Sequence, residues 1–172
     1  MPQRPGARIL ASPSRSGGAP AIEMRHSMMQ DDDNSFGRAV ERVRTALAAM
    51  GFGNPEPYID CWAKSDDATL FGAWGPIERG YARLTETFRW VGSRFKSGAL
   101  VPQDIVCFES GDLAYTVGFE VGEVVVDRGP ATPMTIRVTH IYRRIDGEWR
   151  LVHRHADFPP ADQRAPADGE RA

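Results

Sequence analysis

A chain of 172 residues that is 41% hydrophobic and 26% charged has room for one buried core and little more, and its composition is that of a soluble globular protein. The formal net charge of −2 gives no general attraction to nucleic acid or to an anionic membrane, and no apolar run approaches the ~20 residues of a membrane span. Two cysteines, Cys61 and Cys107, make neither a disulfide framework nor a zinc motif; they are expected as buried free thiols in a cytoplasmic protein.

Residues 1–34 read as a disordered tail. The opening MPQRPGARILASPSRSGGAPAI has arginines and no acid, as a transit peptide does, but its prolines and glycines oppose the amphipathic helix such a peptide needs. A start upstream of the true one, at Met24 or Met28, explains it equally well. Asp33, Asn34 or Ser35 can cap a first helix. Phe36, Val40, Val43, Leu47 and Met50 recur at helical spacing and predict that helix over roughly 36–50, stopped by Gly51 and Gly53. Pro55 and Pro57 open a second short helix, EPYIDCWAKSDD. ATLFGAW is a short strand ended by Gly75-Pro76. Leu84, Phe88, Val91 and Phe95 form one apolar stripe on a third helix that Gly98 ends. Four strands follow, ALVPQDIVCFES, DLAYTVGFEVGEVVVD, PMTIRVTHIYRRI and EWRLVHRHADF, separated by turn residues. Residues 160–172 read as a second disordered tail. Three helices and a run of antiparallel strands predict a single α+β domain over 35–159.

Asp146-Gly147 between two strands is a two-residue hairpin signal. The register it sets places Arg144 opposite Trp149, Tyr142 opposite Leu151, His140 opposite His153, Val138 opposite His155 and Ile136 opposite Asp157, all on one face. A loop over 127–133 sets the hairpin before it and brings Glu120 opposite His140. The expected result is a row, Glu120–His140–His153, with Gly118 and Gly122 clearing space for a ligand above it. A slip of one residue breaks the row. The opposite face carries Phe119, Ile141 and Val152, with Val117 and Val121 beside them; it needs a cover, and a second copy of the chain is the expected one.

This order of elements, with TLFGAWG before the third helix and RVTHIYRRIDGEWRLVHRHAD at the end, resembles the SnoaL-like branch of the NTF2-like superfamily, the cone-shaped α+β fold that includes ketosteroid isomerase. YRRIDGEWRLVHRHAD also resembles the association domain of calcium/calmodulin-dependent protein kinase II. The resemblance covers roughly 36–159. It implies three N-terminal helices packed in a strongly bent antiparallel sheet, a pocket inside the cone, and a homodimer through the outer sheet face (Phe119, Ile141, Val152). In the kinase association domain, arginines line the pocket at the strand positions matching Glu120 and His140. A carboxylate and an imidazole stand there in this chain, which speaks against the same anion binding.

The histidine cluster has three readings. The first is acid–base chemistry of the isomerase, cyclase or hydrolase kind that the resemblance implies, without a cofactor, with Glu120 as base and His140 or His153 as proton donor. The second is a metal held by His140, His153, His155 and Glu120; no spacing motif supports it, and no metal is assigned. The third is structural pairing, with Glu120 satisfying His140 and His155 at the rim beside Asp157. Tyr58, Trp62, Trp74, Tyr142, Trp149 and His155 are the candidate ligand-binding residues, for a small apolar or carbonyl-containing molecule. Core packing competes for most of these aromatics, as for Phe71 and Tyr115; Trp74, among Gly72, Gly75 and Pro76, is placed at the pocket mouth. Arg137, Arg143, Arg144, Arg150 and Arg154 read as solvated surface. The alternative to an enzyme is a non-catalytic ligand-binding or oligomerisation module.

Overall fold

The computed structural model describes residues 35–160; the expectations for the N-terminal tail and for the chain beyond 160 lie outside these residues. Ser35 caps the first helix, its side chain accepting from the Arg38 amide at 3.4 Å, and α1 runs Phe36–Gly51. Its apolar stripe is buried at Phe36, Ala39, Val43, Leu47 and Met50. The second helix is a single turn, α2, Glu56–Ile59, entered through Pro55.

Strand β1, Thr69–Phe71, is followed by β2, Ile77–Arg79. The two pair antiparallel. Sequence reasoning missed β2, whose three residues are exposed or half-buried and carry two charges, so no alternation marks it. Helix α3 spans Tyr81–Arg94 and buries Leu84 and Phe88. It ends four positions before Gly98, because Phe95 takes an extended conformation and begins β3, Phe95–Ser110. Strands β4, Leu113–Val126, β5, Ala131–Ile145, and β6, Glu148–Asp157, complete the sheet.

The strand order is β2-β1-β6-β5-β4-β3, a curled sheet that does not close. It is not wholly antiparallel: β1 runs parallel to β6. The inner face presents Ala114, Thr116, Glu120 and Val124 from β4, and Ile136, Val138, His140 and Tyr142 from β5, all buried beneath the helices.

Two registers differ from expectation. The β4–β5 loop is shorter than 127–133, since β5 already starts at Ala131, paired with Val125. Glu120 therefore faces Ile136, and Thr116 faces His140. The displacement is even, so Glu120 and His140 still share the inner face. The β5–β6 turn is as predicted: Asp146 (φ 51°) and Gly147 (φ 81°) are both left-handed, as a type I′ turn requires. Arg144 pairs with Trp149 and Tyr142 with Leu151. The register then shifts at a bulge. Val152 is the extra residue, and Ile141 pairs with His153, His140 with Arg154, Thr139 with His155 and Arg137 with Asp157. A bulge sets two residues against one, so all that follows changes face. His153 and His155 turn outward; Arg154 and Ala156 turn in.

The strand glycines serve the bend of the sheet, not a ligand. A Cβ on Gly118 would stand 2.2 Å from the Gln103 carbonyl oxygen, and one on Gly122 would stand 2.0 Å from that of Ala99. The β3 backbone closes on β4 at these two positions, and Gly118 pairs with Asp104 beside the irregularity between Asp104 and Val106. Cys61 is a buried free thiol as expected; Cys107 is exposed.

Candidate functional site

The buried polar and charged side chains among the described residues are Thr116, Glu120, His140 and Arg154, and the last three form one network. Arg154 Nη1 donates to Glu120 Oε1 at 2.6 Å and Nη2 donates to Oε2 at 2.8 Å. This is the bidentate geometry that makes a guanidinium–carboxylate pair strong. Arg154 Nη1 also lies 2.9 Å from His140 Nε2, and the Tyr58 hydroxyl lies 2.9 Å from that same nitrogen. A guanidinium has no acceptor, so the contact requires an unprotonated Nε2 and a neutral imidazole. Burial, reinforced by the charges of Arg154 and His153, holds His140 well below the ordinary value of 6.5. Burial likewise pushes the Tyr58 phenol above its ordinary range. For Arg154, burial opposes the charge, but the Glu120 carboxylate outweighs it and the guanidinium is raised.

Each member arrives from a different element: Tyr58 from the single turn α2, His140 from β5, Glu120 from β4, and Arg154 from β6 beyond the bulge. Arg154 is the residue sequence reasoning assigned to solvent. The signal that could have found it is Glu120, a carboxylate on the inward face of an apolar strand that needs a buried cation. Alternation carried unbroken along β6 pointed to His153 instead.

Above this network lies a cavity of about 80 Å³, several times the ~10–15 Å³ that a water needs. Its polar side chains are Tyr58, Thr87, Glu120 and Arg154; Leu47, Met50, Leu70, Phe88, Phe95 and Ile136 are among its apolar ones. Trp74 lines it too, in a loop closed by Gly72 N to Pro76 O at 2.9 Å and Gly75 N to Gly72 O at 2.8 Å.

The structure thus brings together Glu120, His140, Tyr58 and Trp74 of the predicted site. Tyr142 and Trp149 pack in the core, their rings 5.2 and 5.4 Å from Phe36, and Trp62 packs on Phe88 at 5.3 Å; none of the three lines the cavity. His153 and His155 sit on the outer face. His153 Nδ1 meets Thr69 Oγ1 at 2.8 Å, and Phe71 lies 5.8 Å from the His153 ring and 5.4 Å from that of His155. The ligand set His140, His153, His155 and Glu120 is split between two faces, and no group of three His, Cys, Asp or Glu among the described residues is placed to hold a metal ion. No helix among them is long and apolar enough to cross a membrane.

The family model described as a SnoaL-like domain matches residues 41–161, well over half the chain. The chain belongs to the SnoaL-like family. No curated protein matches it in sequence. Among solved structures, the SnoaL-like domain is similar to a candidate dehydratase of the NTF2-like family from Streptomyces avermitilis, with 18% identity, a TM-score of 0.62, and coverage of 76% of this chain and 97% of that one. An NTF2-like superfamily protein from Salmonella enterica matches at 19% identity and a TM-score of 0.61, over 86% and 99% of the two chains. A candidate calcium/calmodulin-dependent protein kinase type II association domain from Thiobacillus denitrificans matches at 18% and 0.59, over 73% and 96%. These likenesses establish an NTF2-like fold for the SnoaL-like domain.

Proposed function

We propose that this SnoaL-like domain binds a small, neutral, mainly apolar molecule bearing a carbonyl oxygen, inside the sheet and against Tyr58. The observation that carries the reading is the crowding at His140 Nε2, which has two neighbours at 2.9 Å and one lone pair to offer. Arg154 can only donate there. The Tyr58 hydroxyl is therefore the surplus donor and can turn to a ligand oxygen without leaving the imidazole unsatisfied. The charge of Arg154 is neutralised by Glu120 through both oxygens, so an anionic ligand would have to displace a buried carboxylate. Apolar lining with a few placed polar groups is the general make-up of such sites.

The test compares thermal shifts from ketones with those from carboxylates of matching size. Ketones are expected to stabilise the domain and carboxylates are not, and Tyr58→Phe is expected to weaken the ketone effect about tenfold in affinity, the size of a lost hydrogen bond of ~1.4 kcal/mol. Stabilisation by the carboxylates alone would overturn the reading.

One observation favours a catalytic version, acid–base isomerisation, cyclisation or hydrolysis without a cofactor. The Tyr58 hydroxyl, a donor for a carbonyl oxygen, has the neutral imidazole of His140 2.9 Å behind it and shares the cavity wall with the Glu120 carboxylate, which puts a proton donor and a proton acceptor on one cavity. Glu120 is less available to a substrate than expected from sequence, since Arg154 occupies both its oxygens. Deuterium exchange next to the carbonyl of a bound ketone, lost in His140→Gln while binding persists, would support catalysis; binding without exchange marks a ligand-binding module. The neighbours whose names include a dehydratase and an aromatic ring hydroxylase leave room for either version.

The reading includes a homodimer in the cytoplasm, with no nucleic acid or membrane partner. Val101, Ile105, Phe108, Leu113 and Val117 on β3 and β4 are exposed, continuous with the half-buried Phe119, Ile141 and Val152. An apolar surface of this kind needs a cover, and a second copy of the same face supplies one.

A further inference from the structure

A second cavity of about 270 Å³ opens beside the first, lined by Trp74, Arg94, Val124, Val126, Thr132 and Met134 among others. Among the described residues, Trp74 is the one that lines both cavities. They are successive stretches of a single inner face. Ile136, in the first cavity, and Met134, in the second, are consecutive inward positions on β5, opposite Glu120 and Gly122, and so ~7 Å apart along the strand. Phe95, in the first, and Arg94, in the second, are sequence neighbours.

Trp74 stands between them as a fixed plate. Its ring stacks on Phe95 at 5.4 Å and an interplanar angle of 23°. The Arg94 guanidinium lies over it, 4.6 Å from its centroid, a cation–π contact. Arg94 is itself tethered to Asp127 Oδ2 through Nη2 at 2.7 Å. The two backbone hydrogen bonds of its loop hold the ring from the other end.

We infer that Trp74 sets the length of ligand this domain accepts. It stops the apolar tail of a molecule anchored at Tyr58 from running on into the second cavity, so the preferred ligands are short and compact. The inference rests on the binding reading above and adds a selection rule to it.

The test uses methyl ketones with linear alkyl chains from butyl to decyl, measuring affinity by thermal shift and by titration calorimetry on wild type, Trp74→Ala and Trp74→Leu. In wild type, affinity is expected to stop rising after the shorter chains. In Trp74→Ala it is expected to keep rising, by about fourfold for each added methylene buried, with the cut-off moved out by several carbons. Trp74→Leu keeps apolar contact with Phe95, guards against loss of folding in the alanine variant, and is expected to give an intermediate cut-off. If short ketones bind wild type but both variants keep its cut-off, the role of Trp74 is overturned and the binding reading stands. If no ketone binds wild type or either variant, both fall together.

Discussion

Arg154 and His140 face each other across β5 and β6, with Nη1 of one 2.9 Å from Nε2 of the other, and this pairing exists only because Val152 is an extra residue in β6. The same guanidinium holds Glu120 by two hydrogen bonds, and both side chains are almost wholly inaccessible, at 9% and 3%.

Breaking that ion pair from one side leaves a buried charge with no partner. Glu120→Gln and Arg154→Met are each expected to cost about 3–5 kcal/mol of stability. The double variant is expected to cost clearly less than the sum, because it strands neither charge. Urea denaturation of the four proteins measures the coupling; strictly additive losses would mean the pair does not form.

Acid should loosen the fold through His140. Burial favours the neutral imidazole, so the folded chain takes up this proton at a lower pH than the unfolded chain. Above the ordinary value of 6.5 both states are neutral at this site, and its contribution to stability is fully present. Below 6.5 the unfolded chain binds the proton first, and stability falls as pH falls towards the depressed folded value. His153, also lowered by burial, acts in the same direction from a less buried position. Melting temperatures measured from pH 7.5 down to about 5 should drop in wild type and drop less steeply in His140→Asn. Parallel curves would assign the acid sensitivity elsewhere.

The outward histidines are expected to be dispensable for ligand binding. His153→Gln and His155→Gln should leave the ketone affinity within a factor of about two, with a stability loss under about 1 kcal/mol for the Thr69 hydrogen bond. His140→Gln, which alters the contact behind Tyr58, should weaken the affinity by more than that factor without abolishing binding. Equal effects of all three would return His153 to the pocket and remove the bulge from the account.

Ile141→Asp places a charge in the middle of the outer face. On a sizing column, this variant is expected to run as a monomer where wild type runs as a dimer, since a dimer would bury two uncompensated carboxylates. An unchanged elution volume would move the interface off this face.

The fold was legible because its signals are local and redundant. The helical stripes of α1 and α3 and the Asp146-Gly147 turn each mark an element unaided, whereas Gly98, expected to end α3, lies inside β3. The inward placement of Glu120 and His140 was legible from alternation, and survived a β4–β5 loop length that was wrong by an even displacement. Tyr58 was legible only as one aromatic among several, and Trp74 through the Gly72, Gly75 and Pro76 that mark its loop. Arg154 and His153 exchanged roles because one inserted residue leaves no mark in hydrophobicity; Val152 is as apolar as any strand residue. What could have exposed it is the energetic demand of the buried Glu120 for a cation, which His140, neutral in its apolar setting, does not meet. Strand β2 escaped because a strand of three residues, exposed or half-buried, has no periodicity to detect.

The extra residue in β6 also bears on how this domain diversifies. Losing or gaining one amino acid near Val152 would exchange the inside and outside rows of the strand's last five positions, trading an arginine at the pocket floor for an imidazole while every downstream codon stays the same. Relatives that match this chain residue for residue after Val152 can thus carry opposite pocket chemistry, and alignments across the strand should be anchored on the parity of Leu151 and Arg154 before any residue is equated with its counterpart.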